Sequence, residues 1–484
     1  MTATSGSQQS YDEEKPPETP SQVMPEPVDW NEPGDPENPQ NWPSWKRYSY
    51  VALVSVLTLI MNLSSTIFAP GSAMLKEEFG IRSTTVGTLT VSIYMLGLVG
   101  GPVVAAPASE MFGRLPVYHV CNALFLAFTI ACAKSTNTSM FLAFRLLAGA
   151  AGSAPLTIGG GTIAGVMPKE QRGLAMGMFS LGPTLGPSVG PIAGGFIAET
   201  VGWRWTFWVL AIAHGVVAFV AVVFMRETFA KILLQRKSTR IGAHATANVQ
   251  DGARSSSAKQ LLLASSIRPL LMLAMSPTVS LLSLAVAFAF GLTFLLITTF
   301  SSVFQDQYGF SLGISGLCYL GMGTGMLLAV AIFSSTSGKV LRWHIAKGLV
   351  EPENRLALMA VFYPVMPIGF FWYGWAADAE KHWIVPLIGA AFVGFGSLFI
   401  LMPAQLYLVD AFGPAQAASA LAAVTMLRSV FAAFLPLAGP PLYEKLGLGW
   451  GNSLLGFLAV AFVPIPLLFY RYGTILRHRY PLKF

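Results

Sequence analysis

Apolar stretches long enough to cross a bilayer recur along most of the chain, parted by short polar breaks. A membrane-spanning helix needs about 20 such residues, because the hydrocarbon core leaves no water to pair with backbone groups. Twelve spans are predicted, at 49–70, 84–106, 115–134, 140–166, 172–198, 204–225, 277–303, 312–334, 357–376, 383–406, 414–440 and 451–471. The expected fold is an all-α integral membrane protein. The longest polar connection, 226–268, is basic and rich in Ser and Ala, and it divides the spans six and six. Residues 49–225 and 269–471 are therefore expected to form two six-helix halves. Residues 1–48 are rich in Pro, Glu, Ser and Gln, which predicts a disordered tail without a cleavable signal peptide. A short polar tail, 472–484, closes the chain.

The fifth span carries the most informative pattern. Gly182, Gly186, Gly190 and Gly194 recur every fourth residue, with Gly195 following, so on a helix they draw one stripe bare of side chains. Pro183, Pro187 and Pro191 recur beside them, each lacking a helix donor. A Gly/Pro-rich loop would not be flanked by apolar sequence on both sides. In a membrane, a stripe of this kind lets a neighbouring helix approach closely.

Composition narrows the class. The chain is 54% hydrophobic and only 11% charged, with a mean hydropathy of +0.58. The charge pattern sets the orientation. With both termini in the cytosol, the inward-facing segments hold 22 of the 30 Lys and Arg residues and the outward loops hold 6. The net charge of +7 is thus a topology signature and not a nucleic-acid footprint. Cys121, Cys132 and Cys318 all fall in predicted spans, which argues against a disulfide framework, and no metal-ligand spacing is present. Asn137-Thr138-Ser139 is a glycosylation sequon in an expected outer loop. Gly338-Lys339 is followed by Val340 and lacks the glycine spacing of a phosphate-binding loop, and the six scattered His residues form no catalytic constellation.

The run 182–195 resembles the fifth-helix antiporter motif of the drug:proton antiporter group of the major facilitator superfamily, the twelve-span efflux proteins. Gly202-Trp203-Arg204-Trp205 resembles what fungal members carry before helix six. Asp35-Pro36-Glu37-Asn38-Pro39-Gln40-Asn41-Trp42 looks like their lead-in to helix one, and Ala418 to Ala423 with Leu427-Arg428-Ser429 resembles their helix eleven. The resemblance covers about residues 28–475. It implies two six-helix halves that rock about a central site.

Further residues take roles from that likeness. Glu110, Gly113 and Arg114 resemble the gating motif after helix two, in which a carboxylate latches one conformation against a helix N-terminus or an arginine. Ala106 and Leu115 depart from it. Arg145, followed by Leu146-Leu147-Ala148-Gly149, resembles the helix-four motif whose arginine serves proton coupling or substrate binding. A guanidinium at membrane depth is costly unless a cavity, a carboxylate or carbonyls receive it. Arg428 in span eleven is a parallel case, and Asp410 is the acidic candidate for coupling. His119 and His214 also fall within spans. The pocket is expected between the halves, with Asn62, Tyr94, Phe294, Tyr319, Gln405 and Tyr407 as lining candidates.

The expected function is proton-coupled efflux of drug-like xenobiotics or of a fungal secondary metabolite, by a monomer without catalytic residues or cofactor. The proton gradient would supply the energy, and the plasma membrane or the vacuolar membrane the location. Export of polyamines or small organic acids is the alternative within transport. A receptor or sensor without transport is the alternative outside it.

Overall fold

The computed structural model describes residues 30, 35–168, 171–240, 258–348 and 351–479, and contains helices and no strand among them. Parts of the expected tails and linker (1–29, 31–34, 241–257 and 480–484) lie outside the described residues. The first six crossings are α1 (Ser44–Thr66), α3 (Thr84–Phe112), α4 (Arg114–Ala133), α5 and α6 (Thr138–Gly152, Ala154–Val166), α7 (Arg172–Val201) and α8 (Arg204–Phe224). A short α2 (Ser72–Glu78) lies between α1 and α3. Pro155 near the start of α6 interrupts the fourth crossing, since its nitrogen cannot donate to the preceding turn.

Two connecting helices, α9 (Ala230–Arg240) and α10 (Ala258–Met275), lead into the second set. That set holds α11 (Pro277–Tyr308), α12 and α13 (Leu312–Leu317, Tyr319–Ala346), α14 and α15 (Ala357–Phe362, Val365–Asp378), α16 (Ile384–Phe434), α17 (Gly439–Phe462) and α18 (Pro464–Arg479). A straight 51-residue helix such as α16 would measure about 76 Å, far beyond the roughly 30 Å of a bilayer's hydrocarbon. Leu387 and Ala391 lie against Gly321 and Gly325 of α13, whereas Phe431 lies against Gly291 of α11. α16 therefore contributes two crossings. The last turn of the bundle falls inside α17 at Gly447, whose φ of 70° is open to glycine and strained for other residues.

Packing rests on small residues where helices meet. The glycine stripe of α7 lies on α1: Gly182 against Leu59, Gly186 against Asn62, Gly190 against Thr66 and Gly194 against Ile67. Thr66 Oγ1 also donates to the carbonyl of Gly186 at 3.4 Å. The helix runs unbroken through Pro183, Pro187 and Pro191. Outward-facing surfaces are apolar, as on α8, where Val216, Phe219, Val222 and Phe224 are exposed. Such a face suits lipid. Residues 35–43, within the tail expected from composition, form a capped turn. Asn38 accepts from the N–H of Gln40, and Asp35 makes a buried 2.7 Å ion pair with Lys237 of α9.

Candidate functional site

The two sets of helices meet along α7 against α12 and α13, and along α3 against α16. Toward the end away from the termini, α7 seals tightly on its neighbour. Gly195 lies against Leu312 and Gly316, Gly316 against the carbonyl of Pro191, and Gly323 against Ser188. Glu199 accepts from the backbone N–H of Gly313 at 2.7 Å, so a carboxylate from one half ties down the start of α12 in the other. Toward the end that holds the termini, the same helices part. Gly173 and Gly177 of α7 and Gly338 of α13 face no atom within 4 Å, and Leu174 is 65% exposed. The result is a cleft between the halves, closed at one end and open at the other.

Arg145 lies at the wall of the first half and is wholly enclosed. Its Nη1 donates to Ser64 Oγ and its Nη2 to the carbonyl of Ser65, both at 3.3 Å. The guanidinium sits between the rings of Tyr94 and Phe207, at 4.8 and 5.4 Å. The span-four arginine thus ties α5 to α1 through two adjacent serines. Tyr94 completes this corner by donating to the carbonyl of Met61 at 2.8 Å.

Arg428 has a different setting. It is encircled by protein yet partly accessible, with one face of the guanidinium over Phe290 at 4.7 Å. Its Nε is covered and unpaired. Among the other pocket candidates, Phe294 is buried, Tyr319 donates to the carbonyl of Ile297, and Tyr407 donates to Glu353. Asn62 and Gln405 stay partly exposed, and Asn62 donates to the carbonyl of Thr58. The aromatic candidates are thus sealed into the halves in this conformation, and the polar ones keep contact with open space.

Asp410 pairs with Arg355 at 2.7 Å near the open end, not at mid-depth. His214 is buried, its Nε2 3.2 Å from the carbonyl of Asn122 and its ring edge-on to Phe125. Glu110 is exposed, and a different carboxylate occupies the helix end beside it. Glu227, just after α8, accepts from the N–H groups of Arg114 at 3.2 Å, Leu115 at 3.1 Å, and Thr228 and Phe229 at 2.8 Å. It caps α4, where the helix dipole favours a negative charge. Gly113 precedes this cap with a φ of 93°, and a Cβ there would collide with the Glu227 carboxylate. Arg114 reaches sideways to the carbonyl of Gly161 at 2.7 Å. Sequence reasoning passed over Glu227. Its signal was a single carboxylate directly after the sixth span.

At the closed end, Trp203 lies among Phe68, Phe79, Phe141 and Phe207. Its Nε1 donates to Glu78 at 2.8 Å, and Arg204 joins the same carboxylate at 2.6 Å. The Arg204 bond holds the Glu78 carboxyl below the usual carboxylate range, with the Trp203 bond adding to it and partial burial opposing. Asn137 is exposed and caps α5 by accepting from the N–H of Met140 at 2.8 Å.

The profile of the Major Facilitator Superfamily matches residues 54–436. The chain belongs to this superfamily. The MFS transporter prlG of a fungal species is 54% identical over 95% of this chain and 98% of its own. The trichosetin biosynthesis cluster MFS transporter of Gibberella fujikuroi is 47% identical over 96% of this chain and 92% of its own. Among solved structures, the crystal structure of a D-xylose-proton symporter superposes with a TM-score of 0.64 at 17% identity, covering 86% of this chain and 97% of that one. The major facilitator fold accounts for the two halves and the cleft between them. A membrane transporter that binds a small molecule within that fold is the established class; an enzyme is not.

Proposed function

We propose that this chain exports a small-molecule product of fungal secondary metabolism, or a drug-like compound, by alternating access driven by the proton gradient. The observation that carries the reading is the cleft, closed by Glu199 and α12 at one end and open at the end holding the termini. The excess of Lys and Arg on that side supports a cytosolic orientation for it. The conformation then admits a ligand from the cell interior, the loading state of an exporter. The trichosetin cluster relative supports a metabolite as cargo. The glycine-proline run of α7 supports the drug:proton antiporter group. Arg145, Arg428 and Asp410 are the proposed coupling residues, in a protein of the plasma membrane that works as a monomer.

Efflux from a transporter-deficient yeast expressing the chain tests this, with drugs, polyamines, organic acids and fungal metabolite extracts, with and without a protonophore. Protonophore-sensitive export of metabolites or drugs is the expected result. No export of any compound by surface-expressed protein would overturn the reading.

A further inference from the structure

We infer that Arg428 is an anion-recognition site in the cleft and that the transported compound is an amphipathic acid carried as its anion. The inference deepens the exporter reading and rests on it. Arg145 and Arg428 both place a guanidinium at membrane depth, and their surroundings differ in one respect. Both Nη atoms of Arg145 have acceptors in α1, and the side chain is wholly enclosed. Arg428 makes no hydrogen bond or ion pair among the described residues, although protein surrounds it. Only its Nε is shut off, so the Nη edge is the part that meets open space. The Phe290 ring covers one face of the guanidinium.

Three carboxylates of the second half are engaged elsewhere among the described residues. Asp410 is held by Arg355, Asp378 accepts from the N–H of Gly449, and Glu353 accepts from Tyr407. A cation enclosed in a low-dielectric bundle and left without a partner is unfavourable. A ligand anion removes that penalty. The planar fork of arginine matches carboxylate-like oxygens two at a time, which a hydroxyl or amide cannot equal. The neighbourhood of the fork is apolar: Phe290 of α11 lies over one face and is backed by the buried Phe294, and the buried Val424 lies one turn along α16. The fitting ligand has an ionised acidic end and a hydrophobic body. A polycation is disfavoured by the same charge.

The test uses the purified full chain in detergent with a fluorescent lipophilic acid, 11-(dansylamino)undecanoic acid, and its uncharged methyl ester. The acid is expected to bind at least about tenfold more tightly than the ester. Arg428→Gln should bring the acid down to the ester's affinity and leave the ester unchanged. Should that variant fail to fold, Arg428→Lys decides: a reduced preference supports the site, and an undiminished one overturns it. Equal binding of acid and ester by the wild-type chain, no binding of either, or a preference that survives in Arg428→Gln also overturns it. Metabolite efflux from cells without acid preference in binding would remove the anion site and leave the exporter standing. Acid-selective binding by a chain that exports nothing would keep the site and remove the exporter.

Discussion

Glu227, which follows the sixth crossing, accepts from the backbone N–H groups of both Arg114 and Leu115, which open the third. One carboxylate thereby closes the loop between helices more than a hundred residues apart in sequence. Hydrogen bonds to a charged group contribute about 1.5–3 kcal/mol each, and removal leaves several donors unpaired. Glu227→Ala is expected to lower the melting temperature of the detergent-purified protein by several degrees, and Glu227→Gln by less. Glu110→Gln, at an exposed position, should leave it within error. A thermal-shift assay reads all three, and an effect of Glu110→Gln equal to that of Glu227→Ala would count against the assignment.

Glu199 and Gly313 form the corresponding tie at the closed end. Glu199→Gln weakens a charge-assisted bond that exists only while that end is shut. The expected outcome is a shift toward the state open on the opposite side, without loss of fold. Cysteines placed at Ser311 and at Gly173 would report it: labelling should rise at the first and fall at the second. Unchanged labelling at both would show that the tie does not set the balance.

The glycine stripe predicts a graded response. Gly186→Leu or Gly190→Leu forces a side chain into Asn62 or Thr66, and is expected to abolish transport with reduced expression. Gly177→Ala meets nothing within 4 Å, and alanine is favoured over glycine inside a helix by about 0.5–1 kcal/mol. That variant should be as stable as the wild type or more so. Comparing expression and melting temperature across the three separates contact from mere composition.

Arg145 joins α5 to α1 through Ser64 and Ser65. Arg145→Ala leaves two acceptors unmet in a sealed corner and is expected to stop efflux at normal surface levels. Arg145→Lys, which cannot span both serines with one plane, should recover only part of it. Full transport by Arg145→Ala would exclude the role.

Glu78 supplies a pH test. Its folded pKa lies below the unfolded value, so its contribution is present above the ordinary Glu pKa of about 4.3 and is lost as pH falls through the folded value. The Arg204 pair is partly exposed, so its effect is small, at most about 1 kcal/mol. Melting temperature should therefore show no Glu78 contribution to its pH dependence between pH 7 and 5. A Glu78-dependent decline should appear only in stronger acid and vanish in Glu78→Gln.

Much of the architecture could be read from the chain because a bilayer leaves few alternatives. Apolar length and the period-four stripe of Gly182 to Gly194 each have one physical use in lipid. The site was less legible, for a reason visible in its members. Arg145 finds its partners 80 residues away on α1, and Glu227 caps a helix 113 residues earlier. Serines 64 and 65 carry no pattern in sequence that marks them as acceptors. The resembling motif implies Glu110 as the gating carboxylate, and the bonds at the start of α4 beside it are made by Glu227, from outside that motif. The difference between the enclosed Arg145 and the open Arg428 arises from tertiary packing alone.

The buried pair of Asp35 and Lys237 has a practical side. It threads the start of the chain onto the helix that follows the sixth crossing, with Trp30 over the same ammonium. Shortening the chain past Asp35 would strand Lys237 without a counter-charge, and breaking an enclosed pair from one side typically costs about 3–5 kcal/mol. Purification tags and fluorescent reporters on this transporter therefore belong ahead of Trp30. A trimmed version that looks tidier in a sequence alignment would have lost a fastener.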